Sequence, residues 1–170
     1  AKTRPCTPSA TLVCHTTWEG AEYTGFPSIV GSGENSIILH YESNRRRMDD
    51  GDLVVMDLGA EYRGYSADVT RTAPVNGRFS EPQRLIYESV LAAQEAAIAV
   101  ARPGAGLRDL SAAASAVLAE RLMELGIISD ASGLSRFFPH GLSHYLGLDV
   151  HDVGTYGPLR SGNVITVEPG

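Results

Sequence analysis

The sequence lacks the features of several broad classes of protein. It has no excess of positive charge, because 14 Lys and Arg stand against 20 Asp and Glu, which gives a formal net charge of −6. Nucleic acids require a cationic surface, so they are excluded as the main partner. No apolar run approaches the roughly 18 residues of a membrane span, and none near the N-terminus is long enough for a secretory signal. We therefore expect a cytoplasmic protein that binds neither nucleic acid nor membrane.

Cysteine is scarce as well. The chain has two, Cys6 and Cys14, and with no export signal we expect both to be free thiols. His15 follows Cys14, but no second pair stands at the spacing of a zinc site. Gly31 and Gly33 are not followed by the Gly-Lys-Ser/Thr of a phosphate-binding loop. These absences argue against a disulfide scaffold, a zinc finger and a phosphate-loop protein.

What is present suffices for one folded domain. The chain has 170 residues, of which 43% are hydrophobic, so a sizeable core can form. Residues 1–20 show no clear period and are predicted to be an irregular segment of unknown origin. Residues 21–170 would form the domain. The chain starts with Ala and ends in a strand and a turn, so we expect a fragment of a longer protein, truncated at both ends.

Hydrophobic patterns predict five strands and two helices. The strands are expected at 28–32, 36–41, 53–58, 65–72 and 163–168. The third and fourth of these would pair as an antiparallel hairpin with a loop longer than two residues. One helix starts after the capping sequence Ser80-Glu81-Pro82-Gln83 and ends at Arg102-Pro103-Gly104, and the other runs from about Leu107 to Leu125, before Gly126. The order of strands, helices and strands predicts an α+β fold.

Two aspartates face each other in the predicted hairpin. Pairing residues whose numbers sum to 125 places Asp57 opposite Asp68, on one face of the sheet. Unpaired charges inside apolar strands are very costly, so the two carboxylates are expected to share a proton or to bind a cation. The alternative is that Asp57 caps a turn and Asp68 pairs with Arg71.

Three of the five histidines, His140, His144 and His151, lie within twelve residues of one another. Imidazole can bind a metal, move protons or stabilise an oxyanion near neutral pH. Glu168 follows on the last predicted strand. If Asp57 and Asp68 only shared a proton, His144 and Glu168 would have no role.

Four side chains therefore predict a site for two metal ions. They are Asp57, Asp68, His144 and Glu168. A metal pair about 3.5–4 Å apart needs at least one bridging carboxylate. Oxygen and nitrogen donors of this kind suit Mn, Co, Zn or Mg, and the carboxylate-rich set favours a hard ion. We expect two divalent metal ions, with Mn favoured and Co or Zn as alternatives.

The motifs, in order, resemble the aminopeptidase P and prolidase family of metallopeptidases. They are Gly31-Ser-Gly-Glu-Asn-Ser36 with Leu39-His40-Tyr41, Met56-Asp57-Leu-Gly59, Asp68-Val-Thr-Arg71-Thr72, the segment from His140-Gly-Leu-Ser-His144 to His151-Asp152, and Thr166-Val-Glu168-Pro-Gly170. The resemblance covers about residues 24–170. It implies the pita-bread catalytic fold, two metal ions, and cleavage of peptides with proline in the second position.

The resemblance also implies roles for individual residues. Asp57 would hold one metal ion, Asp68 would bridge both, and His144 and Glu168 would hold the second. Glu168 could also move the proton of the attacking water. A further group, made of His40, His140 and His151, would line the substrate pocket and stabilise the transition state.

Two other functions are open at this point. A prolidase would accept Xaa-Pro dipeptides, although Ser143 favours the aminopeptidase, because prolidases tend to have Gly there. A non-catalytic pita-bread module would only bind peptides, but this chain keeps every ligand that it is long enough to carry. The family's second glutamate ligand would lie beyond Gly170, so this chain alone is expected to be inactive. A homo-oligomer could form.

Overall fold

A computed structural model describes residue 13 and residues 16–170. The prediction for Cys6 and Cys14, and that for most of the irregular segment 1–20, lie outside the described residues. Val13 and residues 16–18 have helical backbone, so this part of the segment is not irregular. No helix in the described part of the chain is both long and apolar enough to cross a membrane.

The chain forms two compact units. The first comprises the residues up to Ser80 together with Leu146–Val150, and the second comprises Glu81–Tyr145 and His151–Gly170. The first unit carries the sheets, and the second carries the two long α-helices. The predicted mixture of strands and helices is confirmed.

Two three-stranded antiparallel sheets make up the first unit. The strands are β1 (Tyr23–Thr24), β2 (Ile29–Ser32), β3 (Leu53–Leu58), β4 (Ala60–Tyr62), β5 (Tyr65–Ser66) and β6 (Val69–Pro74). One sheet has the order β1-β4-β5 and the other the order β2-β3-β6. The predicted strands 28–32 and 53–58 are confirmed to within a residue at each end. The predicted strand 65–72 is split in two.

The turn of the hairpin is centred one residue later in the chain than the sequence suggested. In β4 and β5, Tyr62 pairs with Tyr65, so only Arg63 and Gly64 lie in the turn. Both have positive φ, 52° and 82°, as a tight two-residue turn requires. The predicted long loop is therefore wrong. The same turn centre sets the pairing of β3 with β6, where Asp57 lies opposite Thr70 and not opposite Asp68.

The predicted strand 36–41 does not form. The chain makes a 3₁₀ helix at Gly33–Ile37 instead. Gly33 has a φ of 54°, and the Ser36 hydroxyl donates to the Gly33 carbonyl oxygen at 2.7 Å. Local hydrogen bonds of Ser and Asn compete with strand pairing, which explains the error.

Asn44 covers the outer edge of β2. Its Oδ1 accepts a hydrogen bond from the Val30 N–H at 2.6 Å, and its Nδ2 donates to the Ser28 carbonyl oxygen at 2.7 Å. The side chain thus takes the place of a neighbouring strand. Asn44 itself has a φ of 49°, a conformation that Asn tolerates better than most residues.

A largely buried ion pair fixes the loop before β3. The Arg46 guanidinium donates to the Asp52 carboxylate, and this hydrogen bond holds the pKa of Asp52 below its usual value of 3.8. The side chains of Arg46 and Asp52 are only 24% and 16% exposed. The pair therefore joins the start of β3 to the segment that follows Asn44.

The second unit is built on two helices, α1 (Glu81–Val100) and α2 (Leu107–Glu124), followed by a 3₁₀ helix at Ala131–Arg136. Both α-helices match the predictions to within two residues. Gly126 ends α2 with a φ of 69°. One apolar cluster forms the core, made of Ala93, Ala97, Leu110, Ala114, Leu118, Ala119, Leu122, Ile128, Leu134, Leu142, Tyr145 and Leu159.

The predicted strand 163–168 is reduced to a single bridge, between Tyr145 and Ile165. Beyond it, Thr166 N–H donates to the His144 carbonyl oxygen at 2.9 Å, and Glu168 N–H donates to the Leu142 carbonyl oxygen at 3.0 Å. The segment therefore runs antiparallel to residues 142–145, without the continuous ladder that defines a strand. The alternation of side chains is sufficient to bring Thr166 and Glu168 to one side.

Candidate metal centre

Asp57 and Asp68 lie side by side in the first unit. Asp57 is near the end of β3, and its carboxyl group is within hydrogen-bonding reach of the side chains of both Asp68 and Thr70. Burial raises the pKa of Asp57 above 3.8, and the charge of Asp68 raises it further, while the Thr70 hydroxyl and the charge of His40 lower it. The predicted shared face is confirmed, although the register is not.

One oxygen of Asp57 is suited to a cation. Asp57 Oδ1 is buried and has no hydrogen-bond partner among the described residues. A buried carboxylate oxygen without a partner is costly. The alternative that Asp57 caps a turn is wrong, since the residue lies within β3. A divalent ion would satisfy this oxygen and neutralise the pair, so the residues present fit the predicted metal.

Gly59 allows the two aspartates to approach each other. A Cβ atom at this position would lie 1.8 Å from the Ala67 carbonyl oxygen and 2.6 Å from Cε1 of Phe26. Any residue other than glycine would push Ala67 away, and with it the adjoining Asp68. The glycine of the Met56-Asp57-Leu-Gly59 motif is thus explained by close contact between backbones.

His144 and Glu168 form a second pair, in the second unit. Nδ1 of His144 lies 3.0 Å from the Tyr145 carbonyl oxygen, which can only accept, so Nδ1 carries a proton. Nε2 lies 3.0 Å from Glu168 Oε1. In a neutral imidazole, the lone pair of Nε2 would then face a carboxylate oxygen, and the contact would be repulsive unless a cation joined the two atoms.

The separation of these two atoms also suits a shared metal ion. Donors that bind one ion at about 2.0–2.2 Å, with an angle near 90° between them, lie roughly 3 Å apart. The observed 3.0 Å between His144 Nε2 and Glu168 Oε1 agrees with this value. The pair fits a metal ion as well as it fits a proton.

The three histidines predicted to act on substrate occupy different surroundings. The rings of His151 and His144 are 4.5 Å apart and perpendicular. Nε2 of His140 lies 2.7 Å from the Gly170 carbonyl oxygen, and its ring contacts Phe138 edge-on, with 5.0 Å between centroids. In the first unit, His40 is exposed, and its charge acts on Asp57.

The structure therefore brings the predicted ligands together as two pairs, Asp57 with Asp68 and His144 with Glu168. Each pair lies within one unit. No group of three or more His, Cys, Asp or Glu side chains that could hold a metal ion forms among the residues described. The assignment of all four side chains to one centre stays a prediction from the sequence.

Two threonines that contact these pairs were missed as site residues. The Thr70 hydroxyl bonds to Asp57, and the Thr166 hydroxyl donates to Glu168 Oε1 at 2.9 Å. Each threonine stands two residues from a predicted ligand, Asp68 or Glu168. The strand period of two was the signal that could have identified both.

Comparison with known proteins identifies the class. The sequence profile described as metallopeptidase family M24 matches residues 10–170. The chain belongs to this family, which confirms the resemblance seen in its motifs. The match starts eleven residues before the predicted boundary at residue 21, and that boundary stays a prediction.

Two similar relatives are described as Xaa-Pro aminopeptidases. The chain is 48% identical over 163 residues to the Xaa-Pro aminopeptidase of Escherichia coli (strain K12). The aligned part covers 89% of this chain and 37% of that protein. The chain is 46% identical over 162 residues to the enzyme of the same name from Haemophilus influenzae, of which it covers 38%. The chain thus spans somewhat over a third of the length of these relatives.

Solved structures agree with this assignment. A zinc-substituted Escherichia coli aminopeptidase P in complex with product superimposes with a TM-score of 0.90 at 43% identity, covering 97% of this chain and 42% of that one. The predicted pita-bread fold class is confirmed by this similarity.

Proposed function

We propose that this chain carries metal-binding residues of an aminopeptidase that removes the first residue from peptides with proline in second position. The observation that carries the proposal is the contact of His144 Nε2 with Glu168 Oε1 at 3.0 Å, with Nδ1 already donating to a carbonyl oxygen. The buried, unpartnered Oδ1 of Asp57 supports the same chemistry in the other unit. Both arrangements can accommodate a bound cation.

Each predicted residue has a task in the proposed reaction. Asp57 would hold one metal ion, Asp68 would bridge, and His144 and Glu168 would hold the second ion. Divalent ions bound there would supply a water molecule acidified to hydroxide near neutral pH and a Lewis acid for the peptide carbonyl. Glu168 would accept the proton of the attacking water.

The histidines would serve the substrate. His40, His140 and His151 would bind the peptide and donate hydrogen bonds to the oxyanion that develops at the carbonyl before proline. Imidazole suits this task because it donates protons near neutral pH. We also expect them to supply a proton to the departing amine nitrogen of proline.

The names of the relatives favour an aminopeptidase over a prolidase. Both proteins compared in sequence are described as Xaa-Pro aminopeptidases. The structure described as zinc-substituted shows that a related aminopeptidase P accepts Zn, and we propose Mn as the native ion because the ligand set is rich in carboxylates. A cytoplasmic location and a homo-oligomer complete the proposal.

The test is release of the first residue from an Xaa-Pro-Xaa tripeptide by the natural full-length protein, with and without Mn²⁺. Wild-type protein should act only with the metal. Asp68→Asn should abolish the activity, since it removes the bridging carboxylate. Glu120→Gln is the matched control, because it removes an exposed negative charge on α2 and should leave the rate unchanged.

Three results would contradict the proposal. Cleavage of Xaa-Pro dipeptides with no cleavage of tripeptides would identify a prolidase. A titration showing no uptake of Mn²⁺ and no cleavage would identify a module that only binds peptides. Full activity of Asp68→Asn would exclude the metal assignment.

A further inference from the structure

Thr166 is buried against both proposed metal ligands of the second unit. It is 9% exposed and lies two residues before Glu168. Its N–H donates to the His144 carbonyl oxygen at 2.9 Å. The backbone therefore places the Thr166 side chain directly beside His144.

The hydroxyl of Thr166 uses both of its hydrogen-bonding functions. Oγ1 accepts a hydrogen bond from the His144 N–H at 3.0 Å and donates its own proton to Glu168 Oε1 at 2.9 Å. That same Oε1 lies 3.0 Å from His144 Nε2. The three residues form a closed ring of contacts, which fixes the imidazole and one carboxylate oxygen relative to each other.

We infer that Thr166 is a positioning residue that holds Glu168 Oε1 and His144 in the arrangement that binds a divalent metal ion. The inference rests on the proposed function. The Glu168 side chain is 35% exposed, so without a fixed partner it would populate several rotamers. The hydroxyl restricts it to the rotamer that faces Nε2, and ligands ordered in advance bind more tightly.

A contact on the other side of the same segment provides a control. Gln94, on α1, donates from Nε2 to the Val167 carbonyl oxygen at 2.8 Å. It thus anchors the backbone between Thr166 and Glu168. This hydrogen bond involves neither the imidazole of His144 nor the carboxylate of Glu168. Gln94→Met removes this anchor and leaves the Thr166 hydroxyl in place.

The experiment measures Mn²⁺ affinity by calorimetric titration of the metal-free, natural full-length protein. Thr166→Val keeps the shape of the side chain and loses the hydroxyl, and Thr166→Ser keeps the hydroxyl. Groups that orient metal ligands change affinity by about 10–100-fold, so the dissociation constant should rise by that factor in Thr166→Val. It should stay near the wild-type value in Thr166→Ser and Gln94→Met.

A second measurement separates positioning from folding. Absorption bands of the Co²⁺-loaded protein report on the ligands around the ion. They should change in Thr166→Val and remain as in wild type in Thr166→Ser. If Thr166→Val does not fold, Thr166→Ser decides the matter, because a serine variant with weakened binding would overturn the inference.

The possible failures are distinguishable. If wild type binds Mn²⁺ and Thr166→Val binds it equally well, the inference is wrong and the proposed function stands. If Gln94→Met weakens binding as much as Thr166→Val, the segment as a whole positions Glu168, and the inference is again wrong. If wild type binds no Mn²⁺, the proposed function fails together with the inference.

Discussion

Asp57 lies directly opposite Thr70 where β3 pairs with β6, and the Thr70 hydroxyl hydrogen-bonds its carboxyl group. This bond only partly offsets burial and the charge of Asp68, so the pKa of Asp57 stays above its ordinary value of 3.8. In the metal-free protein the carboxylate form is therefore disfavoured by folding. A metal ion would reverse this preference.

The raised pKa gives a pH-dependent stability. A carboxyl group with a raised pKa in the folded state stabilises the fold at low pH, and this contribution is lost as the pH rises through the folded pKa. Asp57→Asn should therefore stabilise the metal-free protein at pH 7, by on the order of 1 kcal/mol, and change little at pH 3. Urea unfolding with a chelator present, at both pH values, measures the difference. An equal effect of the substitution at both pH values would contradict the assignment.

Gly59→Ala should be among the most damaging substitutions in the first unit. The added Cβ would lie 1.8 Å from the Ala67 carbonyl oxygen, so the backbone must shift. We expect a loss of more than about 4 kcal/mol in the free energy of unfolding. Gly141→Ala is the control, because an added Cβ there meets nothing within 4 Å. Equal losses of unfolding free energy in the two variants would contradict the close contact between Gly59 and Ala67.

Asn44 should contribute to stability through its side chain. Asn44→Gly keeps the permitted backbone and removes both bonds to the edge of β2, so the free energy of unfolding should fall by about 2 kcal/mol. Asn44→Asp keeps the acceptor for Val30 N–H and loses the donor to the Ser28 carbonyl oxygen. Its free energy of unfolding should therefore lie between those of wild type and Asn44→Gly. Denaturant unfolding of all three proteins is the measurement. A glycine variant as stable as wild type would show that water replaces the side chain at no cost.

The ion pair of Arg46 and Asp52 predicts the opposite pH dependence from Asp57. The lowered pKa of Asp52 stabilises the fold above the unfolded value of 3.8, and this stability is lost as the pH falls through the folded pKa. Asp52→Asn should therefore lower the urea midpoint at pH 7 and have little effect near pH 2. Glu42→Gln, at an exposed position, is the control and should leave the urea midpoint unchanged at both pH values. A constant deficit of Asp52→Asn at every pH would mean that the charge is not responsible.

The sequence predicted the face of the aspartates correctly and their register wrongly. Moving the turn centre to Arg63 and Gly64 shifts the pairing by two residues, from Asp68 to Thr70 opposite Asp57. A shift of two preserves the side-chain alternation, so both aspartates still face the same way. Hydrophobic periodicity determines the face, but only the turn determines the register.

Side-chain hydrogen bonds explain the remaining errors. The segment after Gly33 has apolar residues such as Ile37, but Ile37 is 83% exposed and ends a 3₁₀ helix. Its pattern resembled a strand because no sequence rule shows when Ser36 will bond to Gly33. The strand period shows on which face Thr70 and Thr166 lie, but their contacts with Asp57 and His144 depend on where two segments meet, which the sequence does not show.

Ser66 donates its N–H to the Gly147 carbonyl oxygen at 2.8 Å, and Gly147 belongs to the short stretch that returns to the first unit. During translation, the edge of β5 that does not pair with β4 must therefore wait for a partner made about 80 residues later. Domains tend to fold as their chain emerges, and contacts between distant segments slow the search. The aspartate-bearing unit acquires this segment only after both helices have left the ribosome.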